Sequence, residues 1–229
     1  MIAISDADLL TVWEAAQGAH PVARPAELLR AAGNDHAAQW PIGVRDRRLL
    51  QLRERWFGSR YETTADCPAC GLRVELTFDT PPSSEAPATS THLAHGDLEI
   101  EYRLPDTNDL LALVDCATIE DARARLAERC IVAATRDVVP EDVIDALSDA
   151  LGAHDPDGEL RVAIACPDCG HEWSALFDPA AQLWADLKTA ALRVLRDIDA
   201  LAAAYGWTER EILSLSPVRR AIYLRMVTS

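Results

Sequence analysis

Two stretches decide the fold: CPACGLRVELTFD at 67–79 and CPDCGHEWSALFD at 166–178. Each opens with a Cys-Pro-x-Cys-Gly turn and continues into a short strand. Proline after the first cysteine fixes the turn, and glycine after the second permits the positive φ from which a strand can depart. A Cys-x-x-Cys turn sets two thiolates side by side with backbone amides aimed at the sulfurs, which is half of a tetrahedral metal site. The two turns together supply four ligands, Cys67, Cys70, Cys166 and Cys169, and the reading is a structural zinc held by all four. Ninety-five residues separate Cys70 from Cys166, so the expected fold is a zinc ribbon split by a large insertion.

Two other readings compete. A Cys-Pro-x-Cys pair can be a redox site, but such pairs open a helix after a strand, whereas here strands follow each pair. The four residues could also be plain core cysteines, which leaves two matching turns unexplained. His171, directly after the second turn, could replace one cysteine or lie on the strand surface. Cys116 and Cys130 sit in apolar helical surroundings and read as core residues.

Outward from the turns, Leu72, Val74, Leu76 and Phe78 alternate with polar residues as a half-buried strand does, and Leu160, Val162 and Ile164 lead into the second pair. Trp173, Ala175 and Phe177 lead out of it. Residues Thr80 to His95 are dominated by Pro, Ser, Thr and Ala, which predicts a mobile loop. Leu98, Ile100, Tyr102 and Leu104 predict a strand ending at Pro105. Thr118 with Asp121 caps a helix through Cys130, and Pro140 opens another through Leu151 to Gly152. At the N-terminus, Ser5 with Asp8 caps a helix to Gln17. A short helix follows Pro25, and a third follows Pro41 with Leu49, Leu52 and Trp56 on one face and Arg47, Arg48 and Arg55 on the other.

After Asp178, the residues Trp184, Leu187, Ala191, Val194, Ile198, Leu201 and Tyr205 step by threes and fours through a long helix from Pro179 to Tyr205. Its seam suits either the protein's own helices or a partner, including self-association through 184–205. Gly206 ends the helix, Thr208 with Glu211 forms a capping box, and a last helix carries Arg219, Arg220 and Tyr223. The expected class is α+β. The expected organisation is an N-terminal helical segment (1–60), two ribbon halves (61–80 and 160–178), an insertion with linker, strand and helices (81–159), and a C-terminal helical arm (179–229).

The chain has 22 basic and 37 acidic residues, a formal charge of −15, which disfavours free nucleic acid as a partner. No apolar run is long enough to span a membrane, and Met1 to Asp8 lacks the basic-then-apolar pattern of a secretory signal, so a cytoplasmic protein without a membrane partner is expected. No phosphate-binding glycine loop, His-Glu-x-x-His helix or GxSxG elbow occurs, and a four-sulfur site has no open position for substrate. The expectation is a protein that is not an enzyme.

The ending LAAAYGWTEREILSLSPVRRAIYLRMV (201–227) resembles the signature of the baseplate hub assembly chaperone family of T-even-type phage tails and phage-tail-like contractile injection systems. The similarity extends through VRDRRLLQLRERWFG (44–58), both cysteine turns, EIEYRLPDTNDL (99–110) and LFDPAAQLWADL (176–187). It is carried most specifically by Tyr205, Gly206, Trp207, Glu211, Ile212, Leu213, Ser216, Pro217, Arg219, Arg220 and Tyr223 together. The resemblance implies assistance to, or membership of, a baseplate hub, with baseplate or hub proteins as partners and the product incorporated in a tail-like particle or left in the cytoplasm. A permanent structural component of the baseplate and a zinc-ribbon nucleic-acid or transcription accessory protein are the alternatives. The residues expected to meet the partner are Tyr205, Trp207, Arg219, Arg220 and Tyr223, because arginine beside aromatic residues is enriched at interfaces and both arginines are expected at the surface.

Overall fold

A computed structural model describes residues 4–82, 91–135 and 140–227. It is a mixed helix and sheet protein in which three small antiparallel sheets are set among helices.

The N-terminal segment folds as the sequence predicts. Helix α1 (Asp6–Gln17) starts where the Ser5 hydroxyl accepts from the Asp8 amide. Helix α2 (Arg24–Ala31) has proline in its first turn, and α3 (Ile42–Phe57) follows Pro41 and stops at Gly58, whose φ is 94°. The long helix α7 (Pro179–Tyr205) has the predicted bounds: the Asp178 carboxylate caps the amides of Ala180 and Ala181, and Gly206 closes it in the left-handed conformation. The last two helices, α8 (Glu209–Ser214) and α9 (Pro217–Val227), fold back beside it, with the predicted capping box of Thr208 and Glu211 in place.

These six helices share one core. Leu187, Ala191, Val194, Ile198 and Leu201 of the α7 seam are buried with Leu9, Leu10 and Val12 of α1, Leu28 and Leu29 of α2, Leu49 and Leu52 of α3 and Ile212 of α8. Of the two readings of the seam, the structure shows the intramolecular one. The apolar row from Leu187 to Leu201 is buried inside the chain, and α7, α8 and α9 pack in the same core as the N-terminal helices.

The insertion has its own small core. Strand β3 (Thr91–His95) pairs with β4 (Leu98–Tyr102) across a two-residue turn at Gly96 and Asp97, and β5 (Ile131–Ala134) pairs with the other edge of β4. Strand β3 replaces part of the loop expected at 80–95; residues 83–90 of that loop lie outside the described residues. Helices α4 (Thr107–Ala112), α5 (Ile119–Cys130) and α6 (Glu141–His154) complete the insertion, and Val143 and Leu147 of α6 bury Leu98, Ile100 and Tyr102. The predicted Thr118 cap is present, while α6 runs past Gly152.

Buried polar contacts join insertion to body. The Asp155 carboxylate accepts from the Gly43 amide at 2.7 Å, and a Cβ on Gly43 would fall 1.9 Å from Asp155 Oδ1, so only glycine lets the two segments approach. Within the insertion, the fully buried Asp109 accepts from Arg103 at 2.6 and 2.9 Å and from Arg129 at 2.8 Å, tying α4 to the residue after β4 and to α5. Arg45 of α3 bonds Asp46 and the Thr107 hydroxyl.

Candidate metal centre

The two cysteine turns are the tips of two hairpins. Strand β1 (Arg60–Asp66) pairs with β2 (Arg73–Asp79) around the first, and β6 (Arg161–Ala165) pairs with β7 (Glu172–Leu176) around the second. The turns are built alike. Cys67 N–H donates to Leu72 O at 2.8 Å and Gly71 N–H to Cys67 O at 2.9 Å; Cys166 N–H donates to His171 O at 2.9 Å and Gly170 N–H to Cys166 O at 3.0 Å. Gly71 and Gly170 hold φ of 74° and 72°, the left-handed conformation the sequence predicts for them.

The hairpins are fastened together below the turns. Val74 and Ile164 are buried between them with Trp173 beside, and at the base Tyr61, Phe78 and Phe177 form an aromatic triad with ring centroids 5.1 to 5.2 Å apart. Leu50 of α3 packs on this triad, and the Arg53 guanidinium lies 4.0 Å over the Tyr61 ring while donating to the carbonyls of Gly58 and Arg60. A rigid base therefore carries both tips to one place.

At that place the four sulfurs meet. Cys67 Sγ lies 3.7 Å from Cys169 Sγ, Cys70 Sγ lies 3.6 Å from Cys166 Sγ, and all four are within 4.8 Å of one another. A tetrahedral ion with metal–sulfur bonds of about 2.3 Å requires sulfurs about 3.8 Å apart, so the cluster matches a four-thiolate metal site in composition and size. Cys67 and Cys166 are buried and Cys70 and Cys169 are exposed, so each turn gives one inner and one outer ligand. None of the four is in a disulfide.

Burial pushes the Cys67 thiol up, but the amides of Cys70 and Ala69 and the thiols of Cys70 and Cys169 outweigh it and bring the group down to about 7. At Cys70 the Leu72 amide favours the thiolate, yet burial and the other three sulfurs push the thiol up to about 12. Crowded sulfurs cannot all ionise unaided: the first thiolate raises the cost of the next. A bound cation removes that cost, which is the expected chemistry of a metal site.

His171 is not among the ligands; it is exposed and its ring stacks on Trp173. Cys130 is fully buried, and burial, then the charge of Asp109, pushes its thiol up to about 12, so it is an inert core residue as expected. Cys116 is only half-buried, in a surface groove beside Leu113 and Ile119. Neither cysteine pair opens a helix, which removes the geometric basis of the redox reading. Beside the tips, Arg73 is paired with Asp66 at 2.8 Å, and Asp168 and Glu172 are exposed.

The residues expected to meet a partner divide. Tyr205, Trp207 and Tyr223 gather into one cluster, with Tyr205 stacked on Trp207 at 4.6 Å and Tyr223 edge-on to Trp207 at 4.9 Å. Trp207 and Tyr223 pack on the helical core and Tyr205 stays exposed. Arg219 is exposed, but Arg220 is buried and paired with Asp6, which corrects its expected surface position. What the sequence reading missed on α9 is an exposed row of Val218, Ile222 and Met226, whose spacing of four was the available signal.

No protein-family model matches the chain, and neither the curated proteins nor the solved structures compared with it include a match. Among the described residues, no helix is long and apolar enough to cross a membrane.

Proposed function

We propose that this chain is a non-enzymatic, zinc-stabilised protein that assists or takes part in assembling the baseplate hub of a phage tail or contractile injection system. The observation that carries the structural half is the meeting of four sulfurs from two hairpins at the spacing of a tetrahedral thiolate site. Zinc is the cation for this donor set, because it combines a tetrahedral preference with affinity for thiolate and has no redox chemistry of its own. Four protein ligands fill its coordination sphere, so the ion would hold the split ribbon together without activating water.

The assembly role rests on the family resemblance. The residues that carry it form one continuous piece of the fold: Gly206 turns the chain, Thr208 and Glu211 cap α8, Tyr205, Trp207 and Tyr223 stack, and Arg220 reaches back to α1. That coherence suits a signature which maintains a shape to be presented to baseplate or hub proteins.

The test is deletion of the gene in a cell that makes the particle, followed by counting assembled and contractile particles. Loss of baseplate-bearing particles, restored by the wild-type chain, is the expected result. Normal particle yield without the chain would overturn the role. Mass spectrometry of purified particles separates the two forms of the proposal: an assembly chaperone is absent from them, and a permanent component is present in fixed ratio.

A further inference from the structure

Helix α9 is apolar on two sides. Tyr223, Leu224 and Val227 pack on the core of the helical body, with Arg220 buried among them. On the other side Val218, Ile222 and Met226 stand at i, i+4 and i+8 with relative exposures of 71%, 40% and 63%. A surface helix ordinarily turns charge to solvent opposite its buried face, and a second apolar row there marks a surface made to be covered.

The border of that row says what covers it. At 100° per residue, Arg219 lies along one edge and Arg225 beside Val218 on the other. Both are exposed, and the Arg225 Nε also donates to the Ala221 carbonyl. Residues 215–227 hold three arginines and no acid, in a chain whose net charge is −15. We propose that this stripe seats an acidic amphipathic helix of another protein, its apolar row along Val218, Ile222 and Met226 and its carboxylates beside Arg219 and Arg225. The inference rests on the preceding section only in taking the chain to dock on a protein.

Charge complementarity selects this occupant over others. The same helix of a second copy would bring arginine-bordered rows together, which like-charge repulsion disfavours. Nucleic acid offers no apolar row to match, and the two exposed arginines that border the row fall short of the polybasic cluster an anionic membrane requires. Apolar anchors about one turn apart, as these are, are how amphipathic helices are recognised. A one-helix stripe is small, which suits a transient contact.

The chain contains two methionines, Met1 and Met226, so methyl-labelled methionine gives a nuclear magnetic resonance signal within the stripe at Met226. The probes are a synthetic amphipathic helix whose leucine row is bordered by glutamate, and the same peptide with lysine in place of glutamate. Adding the glutamate peptide to the full chain is expected to shift Met226, with affinity falling as salt rises. Ile222→Glu should weaken binding about tenfold or more. Arg219→Glu, at an exposed site that the fold does not use, should reverse the preference toward the lysine peptide. The proposal is overturned if the glutamate peptide leaves Met226 unmoved, if both peptides bind equally, if Met226 moves with protein concentration alone, or if phosphatidylserine vesicles shift it where the peptide does not. This titration is independent of particle assembly, so a failed deletion experiment would leave its result standing.

Discussion

Arg220 in the last helix donates to the carboxylate of Asp6 in the first turn of the first, across 214 residues of sequence. The contact holds α9 against α1, and its neighbour Arg219 faces solvent. Two adjacent arginines thus do different work.

Arg220→Ala should destabilise the protein by about 2 kcal/mol, less than a fully buried pair would cost because Asp6 keeps some contact with water. Arg219→Ala should change stability by less than about 0.5 kcal/mol, as surface substitutions do. Thermal melts of the two single variants check this. Equal melting temperatures would show that the Asp6 contact contributes nothing.

Metal analysis of the purified chain should find one zinc per molecule. Cys166→Ser should lower metal content and melting temperature together, because the free energy of structural zinc binding is folding free energy. Cys130→Ser should leave the metal in place, since Cys130 lies in the insertion away from the sulfur cluster. An unchanged melt after complete removal of metal with a chelator would refute a structural ion.

Gly43→Ala should cost about 2 to 3 kcal/mol, the price of overpacking a tight contact. Its Cβ would meet Asp155 Oδ1 at 1.9 Å and the Gly158 amide nitrogen at 2.8 Å. Asp155→Asn keeps an acceptor for the Gly43 amide and removes a charge that burial already disfavours, raising the carboxyl above its usual range. That change should be close to neutral at pH 7. Faster amide exchange across Pro156–Glu159 in the alanine variant alone would locate the damage.

Asp109→Asn should cost about 3 kcal/mol at pH 7, the lower end for a broken buried ion pair because Arg103 and Arg129 both reach water. Burial pushes the Asp109 carboxyl up, but Arg103, the Asp106 amide and Arg129 together hold it below its ordinary value. Stability from such a group is fully present above the unfolded-state value, about 3.9, and is lost as pH falls through the lower folded value. The gap between wild type and variant should therefore persist at pH 5 and narrow below about pH 4. Denaturant melts at the two pH values measure it.

The cysteine cluster was legible in sequence because its information is local and doubled: each turn carries its own proline, glycine and pair of cysteines. The α7 seam was legible as a buried face but not by whom it is buried, since periodicity reports that a row is covered and nothing about the cover. Strand β1 escaped because its inward residues beyond Tyr61 are Thr63 and Ala65, too small and mixed to mark a face. Strands β3 and β5 are five and four residues long and carry little alternation. Arg45, Asp46 and Arg53 were given no place by the sequence and are buried. Arg45 and Arg53 bond Thr107 and Asp186, 62 and 133 residues away, a pairing that no local pattern announces.

The 95 residues between Cys70 and Cys166 also set an order of events during synthesis. On the ribosome the first hairpin emerges with two of the four clustered cysteines, and α1 to α3 emerge without the α7 spine that buries them. Neither can be completed until Cys169 and then Leu201 have been translated. The insertion, whose core is drawn from residues 98–147, has everything it needs earlier. Synthesis therefore completes the parts of the middle before those of the two ends, and a chain released early would carry an unmatched thiol pair and an uncovered helical face.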